Sequence, residues 1–307
     1  MTRKKVIVLL ISLLALITGC ATSGYNKGQF NLYSIEEEKR MGDDFAKQLL
    51  SEYQKRGRVY DDPETNRYIN QLGQKLVSYA PDNKFEFHFY VLKMKSVNAF
   101  AVPGGHIFVF TGLINYCENE AELAGVIAHE IGHVVARHGT EQMSKQLVAS
   151  VASSIVVAGL GLSGVDPNIA QLALNVANTG IFLAYSRENE TEADEIGART
   201  VYKAGYHPEG MKNFFDRLHK KVGDMSDLEV FMSTHPDPGD REKHIKNLIK
   251  ELGPTDSLKW DSREFRAVKS KVSSIVYPKQ EQKQEQKQKQ KDKQKQKQKQ
   301  KQKKKQK

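Results

Sequence analysis

The sequence predicts an α+β fold, mostly helical, with a small β-sheet beside one buried central helix. Three observations predict it. Ala121–His138 is apolar on more than one side and carries two histidines four residues apart, so it reads as a helix in the interior. Segments with helical spacing and capping residues flank it on both sides. Strand signals are confined to Phe85–Thr111, which alternates apolar and polar residues and then turns at Pro103-Gly104-Gly105.

Both ends of the 307-residue chain read as lying outside that fold. Met1–Gly19 has a basic start (Arg3, Lys4, Lys5) and an apolar run from Val6 to Ile17. Such a run fits a signal-peptide core and is short of the roughly 20 residues needed to span a bilayer. It closes on Ile17-Thr18-Gly19-Cys20, which resembles a bacterial lipobox and implies cleavage before Cys20 and lipidation of its sulfur. Residues 1–19 are thus read as a lipoprotein signal peptide and 20–33 as a linker. With Cys20 lipidated, Cys117 has no partner for an intramolecular disulfide and reads as a small buried hydrophobe. At the other end, residues 279–307 hold 14 Lys against 3 acids, a net of +11, while the whole chain carries +10. The high pI therefore belongs to this tail, which cannot bury a core and is expected to be disordered. It offers contact to anionic lipid and carries no signal for specific nucleic-acid binding.

Residues 34–278 are read as one domain. Ser34–Lys55 is helical by spacing, with Ser34 and Glu37 forming a capping-box pattern. Asp62–Tyr79 is a second amphipathic helix with Pro63 in its first turn. Phe85, Phe87, Phe89 and Val91 alternate as a half-buried strand. Asn98–Val102 and His106–Thr111 are two extended pieces around the Pro-Gly-Gly turn, and Pro103 argues for an edge position. The pair is either an ordinary hairpin or an edge on which a peptide substrate aligns by strand addition. Gln146–Gly164 and Asp166–Ala184 read as buried helices. Tyr206–Leu252 reads as two helices around His235-Pro236-Asp237-Pro238-Gly239, and Trp260–Tyr277 as a short mixed segment packed on the body.

The chemistry lies in His129-Glu130-Ile131-Gly132-His133. On a helix, residues four apart share a face, so both imidazoles can reach one metal ion. Glu130 points about a quarter-turn away, where its carboxylate reaches a water rather than the metal. A third histidine in the H-E-x-x-H-x-x-G-x-x-H register would fall at position 139. That residue is Gly139, and His138 misses by one, so a carboxylate from a separate helix is the better candidate.

Four ordered motifs then resemble a known family. They are Asn98-Ala99-Phe100-Ala101-x-Pro103-Gly104-Gly105, the stretch from His129 through Arg137-His138, Ser186-Arg187-x-x-Glu190-x-x-Ala193-Asp194, and His235-Pro236-x-x-x-x-Arg241. Together they resemble the zinc metallopeptidases that include HtpX, the CAAX prenyl endopeptidases and the BepA-type periplasmic lipoproteins, over about Ser34 to His244. The resemblance implies a zincin-like domain with one zinc per chain, His129, His133 and Glu190 as ligands, and Glu130 as general base. It also implies Asp194 as a hydrogen-bond partner behind the ligands, and Asn98, Ala99, Phe100, Gly104, Gly105 and Arg241 as substrate contacts. The integral-membrane relatives carry spanning helices and the exported branch can carry a tetratricopeptide domain. The sequence shows neither, and is expected to act as a soluble, lipid-anchored protein of the bacterial envelope on the periplasmic face of the outer membrane.

The expected activity is peptide hydrolysis by a zinc-activated water, with protein or peptide substrates such as misfolded or unassembled envelope proteins. Two imidazoles and one carboxylate leave a position on zinc for that water, whose pKa falls to roughly 7. A chaperone-like lipoprotein using zinc only for structure is the rival reading, and the intact Glu130 argues against it. A small-molecule amidase is another, and the candidate edge strand argues against that. His235, held in a Pro-rich turn, is expected beside the zinc. It would serve either as a hydrogen-bond donor to the oxyanion or as a resting-state ligand that holds the enzyme off.

Overall fold

The structure, a computed structural model, describes residues 25, 29–81, 84–154, 185–221, 231–236, 241–275 and 277. The signal peptide, Cys20, the Lys/Gln tail, the helix expected over 166–184 and most of that over 146–164 lie outside the described residues, as do the later positions of the Pro-rich turn.

The first helix, α1 (Ile35–Lys55), opens on a complete capping box. Ser34 Oγ accepts from the Glu37 N–H, and the Glu37 carboxylate accepts from the Ser34 N–H at 2.8 Å. Helix α2 (Pro63–Val77) starts where the Asp62 carboxylate accepts from the Thr65 N–H, and Pro63 occupies its first turn, where its missing N–H costs nothing. Three strands follow, β1 (His88–Leu92), β2 (Ala99–Val102) and β3 (His106–Phe110). The sheet order is β1-β3-β2, with β1 parallel and β2 antiparallel to β3, so β2 is an edge strand. The first strand begins three residues later than the alternation suggests. Phe85 and Phe87 still bury their rings ahead of the first backbone pairing.

The sheet is covered on both faces. Along β2 and β3, Ala99, Ala101, Ile107 and Val109 belong to the main core, while Phe100, Val102, Phe108 and Phe110 join Phe45, Leu49 and Tyr53 of α1 in a second one. The period-2 geometry of a strand produces this division.

After the short α3 (Thr111–Tyr116) comes α4 (Glu120–Val135), capped by Asn119 and buried along its entire length. The stretch Ala121–His138 is therefore not one helix. It ends at Val135, Arg137 takes a left-handed φ of 58°, and α5 (His138–Ser154) sets off anew. Arg137 is held there by Glu38, whose carboxylate accepts from its Nε at 2.7 Å, with both side chains buried. The remaining helices are α6 (Arg187–Lys203), α7 (Glu209–Lys221), α8 (Arg241–Leu252) and α9 (Arg263–Ser273). The last replaces the expected mixed segment. Ser262 caps it, and Phe265, Val268 and Val272 form one buried stripe. Among the described residues no helix is long and apolar enough to cross a membrane.

Candidate active site

The site forms where α4 and α6 cross. His129 and His133, one turn apart on α4, bring their Nε2 atoms to 3.0 Å. From the first turn of α6, Glu190 places Oε2 3.4 Å from His129 Nε2 and Oε1 3.4 Å from His133 Nε2. Ser186 starts α6 with a reciprocal cap to Asn189, which fixes where that first turn falls. The two helices come this close because glycines line the crossing, Gly132 on α4 against Ala193 and Gly197 on α6 against Ala128 and His129.

These atoms fit a zinc ion. Ligands at about 2.0–2.1 Å in tetrahedral order stand about 3.3–3.4 Å apart, close to the separations between the three side chains. All of them are fully or almost fully buried, and Glu190 Oε2 has no hydrogen-bond partner. A buried carboxylate is costly unless cations and donors meet it closely, and Arg241 Nη1 comes only to 3.4 Å of this oxygen, which leaves room for an ion to do so. Burial opposes charge on His129, yet hydrogen bonding to Asp194 and Glu190 holds its pKa up at about 9, so the surroundings call for positive charge at this point. Burial also opposes charge on Glu190, but His235, His129 and His133 pull its pKa well below the usual carboxylate range.

His235 completes the group. Its Nδ1 lies 3.3 Å from His129 Nε2 and 3.1 Å from Glu190 Oε1, and the four side chains form the one metal-ready cluster among the described residues. Its Nε2 faces Glu130 Oε1 at 3.3 Å. The other Glu130 oxygen, Oε2, accepts from the Ala101 N–H at 2.9 Å, while Oε1 has no hydrogen-bond partner. Burial raises the Glu130 carboxyl above its ordinary range, against the pull of His235 and His129. A proton acceptor gains from a pKa nearer the working pH.

Behind the ligands, Asp194 accepts from His129 Nδ1 at 2.9 Å and from Arg241 Nη2 at 2.6 Å. Arg241, expected as a substrate contact, is instead buried against these groups. Its guanidinium lies 3.5 Å from the centre of the Phe215 ring and 3.4 Å from Glu190 Oε2. Its charge is paired with the carboxylates of Glu190 and Asp194. Phe100 is likewise a core residue, stacked on Phe108 at 4.9 Å. Gly104 and Gly105 carry positive φ in the turn beneath α1. Asn98 and Ala99 are fully buried, and the Asn98 carbonyl accepts from the Phe110 N–H. Of the expected substrate-binding stretch, the Ala101 backbone is what reaches the site. Two neighbours were not among the expected site residues, although His138 closes the second motif. Tyr185 stacks on His133 at 3.8 Å between ring centres, and His138 is fully buried against the same ring.

Two imidazoles and a carboxylate converging in the interior, with an unligated glutamate beside them, are the equipment of a zinc metallopeptidase. The comparison with known proteins makes the class specific. The model of peptidase family M48 matches residues 63–249, and the chain belongs to this family, with zinc as its cofactor. It is 34% identical over 226 residues to mitochondrial metalloendopeptidase OMA1 of Schizosaccharomyces pombe, covering 74% of this chain and 65% of that protein. It is 32% identical over 225 residues to the beta-barrel assembly-enhancing protease of Escherichia coli, covering 72% of this chain and 45% of that one. The chain thus spans less than two thirds of the length of each.

Proposed function

We propose that this chain is a zinc metalloendopeptidase of the bacterial cell envelope, anchored through a lipidated Cys20 and acting on misfolded or unassembled envelope proteins. The observation that supports hydrolysis best is Glu130. One oxygen is tied to the Ala101 N–H and the other, free of hydrogen bonds, faces His235 Nε2 at 3.3 Å at the edge of the ligand cluster. A zinc site serving only structure has no use for such a group.

His129, His133 and Glu190 would hold the ion, which supplies a Lewis acid and lowers the pKa of water to about 7. Glu130 then takes the proton of the attacking water at Oε1 and hands it to the leaving amine nitrogen. Asp194, itself held by Arg241, fixes the tautomer of His129, with the proton on Nδ1 and the lone pair of Nε2 free for the ion. The edge of β2, next to the base, suits a peptide laid down as an added strand. His235 Nδ1 stands within the ligand set, which favours a resting state in which this imidazole occupies the position that substrate needs. Envelope location and quality-control substrates rest on the Ile17–Cys20 motif and on the likeness to a protein named for β-barrel assembly. The basic tail would add contact with anionic lipid.

The test is cleavage of an unfolded protein substrate by wild type and by Glu130→Gln at equal zinc content. Wild type should cut it and Glu130→Gln should lose several orders of magnitude in rate. A wild type that binds zinc and cuts no polypeptide would refute the proposal.

A further inference from the structure

The two histidine ligands are supported differently. His129 leans on a carboxylate, Asp194. His133 leans on another histidine, with its Nδ1 2.8 Å from Nδ1 of His138. Two identical ring nitrogens hydrogen-bond only if one carries a proton and the other does not, and the surroundings decide which. His133 Nε2 faces Glu190 and the ligand centre, so its lone pair belongs there and its proton sits on Nδ1. His133 Nδ1–H therefore donates, and His138 Nδ1 accepts. The proton of His138 is then on Nε2, which points at Glu192 Oε2, 3.1 Å away. The same Glu192 oxygen accepts from Gln29 Nε2 at 2.9 Å.

The backbone is bent to make this possible. On an uninterrupted helix, residue 138 would point well away from His133, five positions on. The left-handed φ of Arg137, a conformation that a residue with a Cβ rarely adopts, turns the chain so that His138 meets His133 ring to ring. The Glu38–Arg137 ion pair holds that turn.

We propose that His138, oriented by Glu192, is a positioning residue for the metal centre, fixing the tautomer and ring plane of His133 through a Glu192–His138–His133 chain of hydrogen bonds. The chain delivers a neutral acceptor to one ligand where the other ligand has an anion. It also links the metal to residue 29, in the segment that leads back to Cys20.

This rests on the zinc reading of the site, and zinc affinity measured by competition with a chelating dye tests both. Wild type should bind one zinc per chain, and failure to bind would remove the zinc reading and the relay together. Given wild-type binding, His138→Ala should weaken zinc affinity about 10–100-fold, the usual effect of losing such a partner. His138→Asn keeps an acceptor where Nδ1 was and should recover most of that loss. The visible spectrum of the cobalt-loaded protein should shift in His138→Ala and return towards wild type in His138→Asn. Equal loss in both variants, or wild-type affinity in both, would overturn the proposal. Should the His138 variants fail to fold, the partly exposed Glu192 carries the test. Glu192→Ala should weaken zinc several-fold and Glu192→Gln, which still accepts from His138 Nε2–H, should not. Unchanged affinity in Glu192→Ala would overturn the relay.

Discussion

Gly132 lies directly against the backbone of Ala193, so that a Cβ at position 132 would stand 2.9 Å from the Ala193 carbonyl oxygen. The obstacle is backbone, which cannot swing aside as a side chain would. Gly132→Ala should therefore push α4 and α6 apart, at a cost of about 1–3 kcal/mol for overpacking. Because His129 and His133 ride on one helix and Glu190 on the other, zinc affinity should fall with stability. Thermal unfolding with and without zinc checks this, and a variant as stable and as tight for zinc as wild type would refute it.

Glu190→Ala removes the only ligand that α6 contributes. Zinc binding should weaken sharply, with Glu130→Gln retaining metal under the same conditions. Metal content after dialysis separates the two. Undiminished affinity in Glu190→Ala would mean that the third ligand is elsewhere.

His235 Nδ1 occupies the same small space as the ligand atoms of His129 and Glu190. If it blocks the metal at rest, His235→Ala should raise turnover of a short peptide at equal zinc content. A fall of about 10²–10³ would assign it to the oxyanion instead. Unchanged turnover and stability would take it out of the site.

Much of this was legible in the sequence, for reasons that differ by element. Ser34 with Glu37, and Asp62 with Pro63, mark helix starts because caps act over three or four residues of local sequence. His129, Glu130 and His133 sit on a single turn of one helix, so their convergence is also local. Glu190 came from the resemblance, and its approach depends on a helix crossing that no spacing announces. Arg137 defeated local reading, because nothing in Val-Val-Ala-Arg-His signals a left-handed residue there. The cause is Glu38, 99 positions away. Which way Arg241 faces was hidden for a similar reason, its motif saying that it matters and not that it pairs with Asp194. In α9 the stripe of Phe265, Val268 and Val272 was obscured by the charged residues between them.

The Glu38–Arg137 pair is buried on both sides, and removing one partner leaves the other charge stranded. Arg137→Ala should cost about 3–5 kcal/mol in denaturant unfolding. Arg137→Gly loses the same ion pair but is at ease at φ 58°. It should be less destabilised than the alanine variant by about 1–2 kcal/mol. Equal losses would show that the left-handed turn carries no strain.

Cys20→Ser should release the protein from membranes while leaving cleavage unchanged, since anchor and chemistry occupy separate parts of the chain. Sedimentation of the variant with membranes in high salt would refute lipidation at this position. Sedimentation in low salt alone would implicate the basic tail, whose attraction to lipid is screened as ionic strength rises.

The hydrogen bond from the Ala101 N–H to Glu130 makes the sheet and the chemistry a single mechanical part. An incoming peptide that pairs with the edge of β2 finds the donor at position 101 already engaged, and must grip the strand through its other outward groups. Any shift of β2 on loading would change the hydrogen bond that the carboxylate accepts from this strand. On the proposed function, a polypeptide too stiff to lie flat along this edge would disturb the alignment of the base.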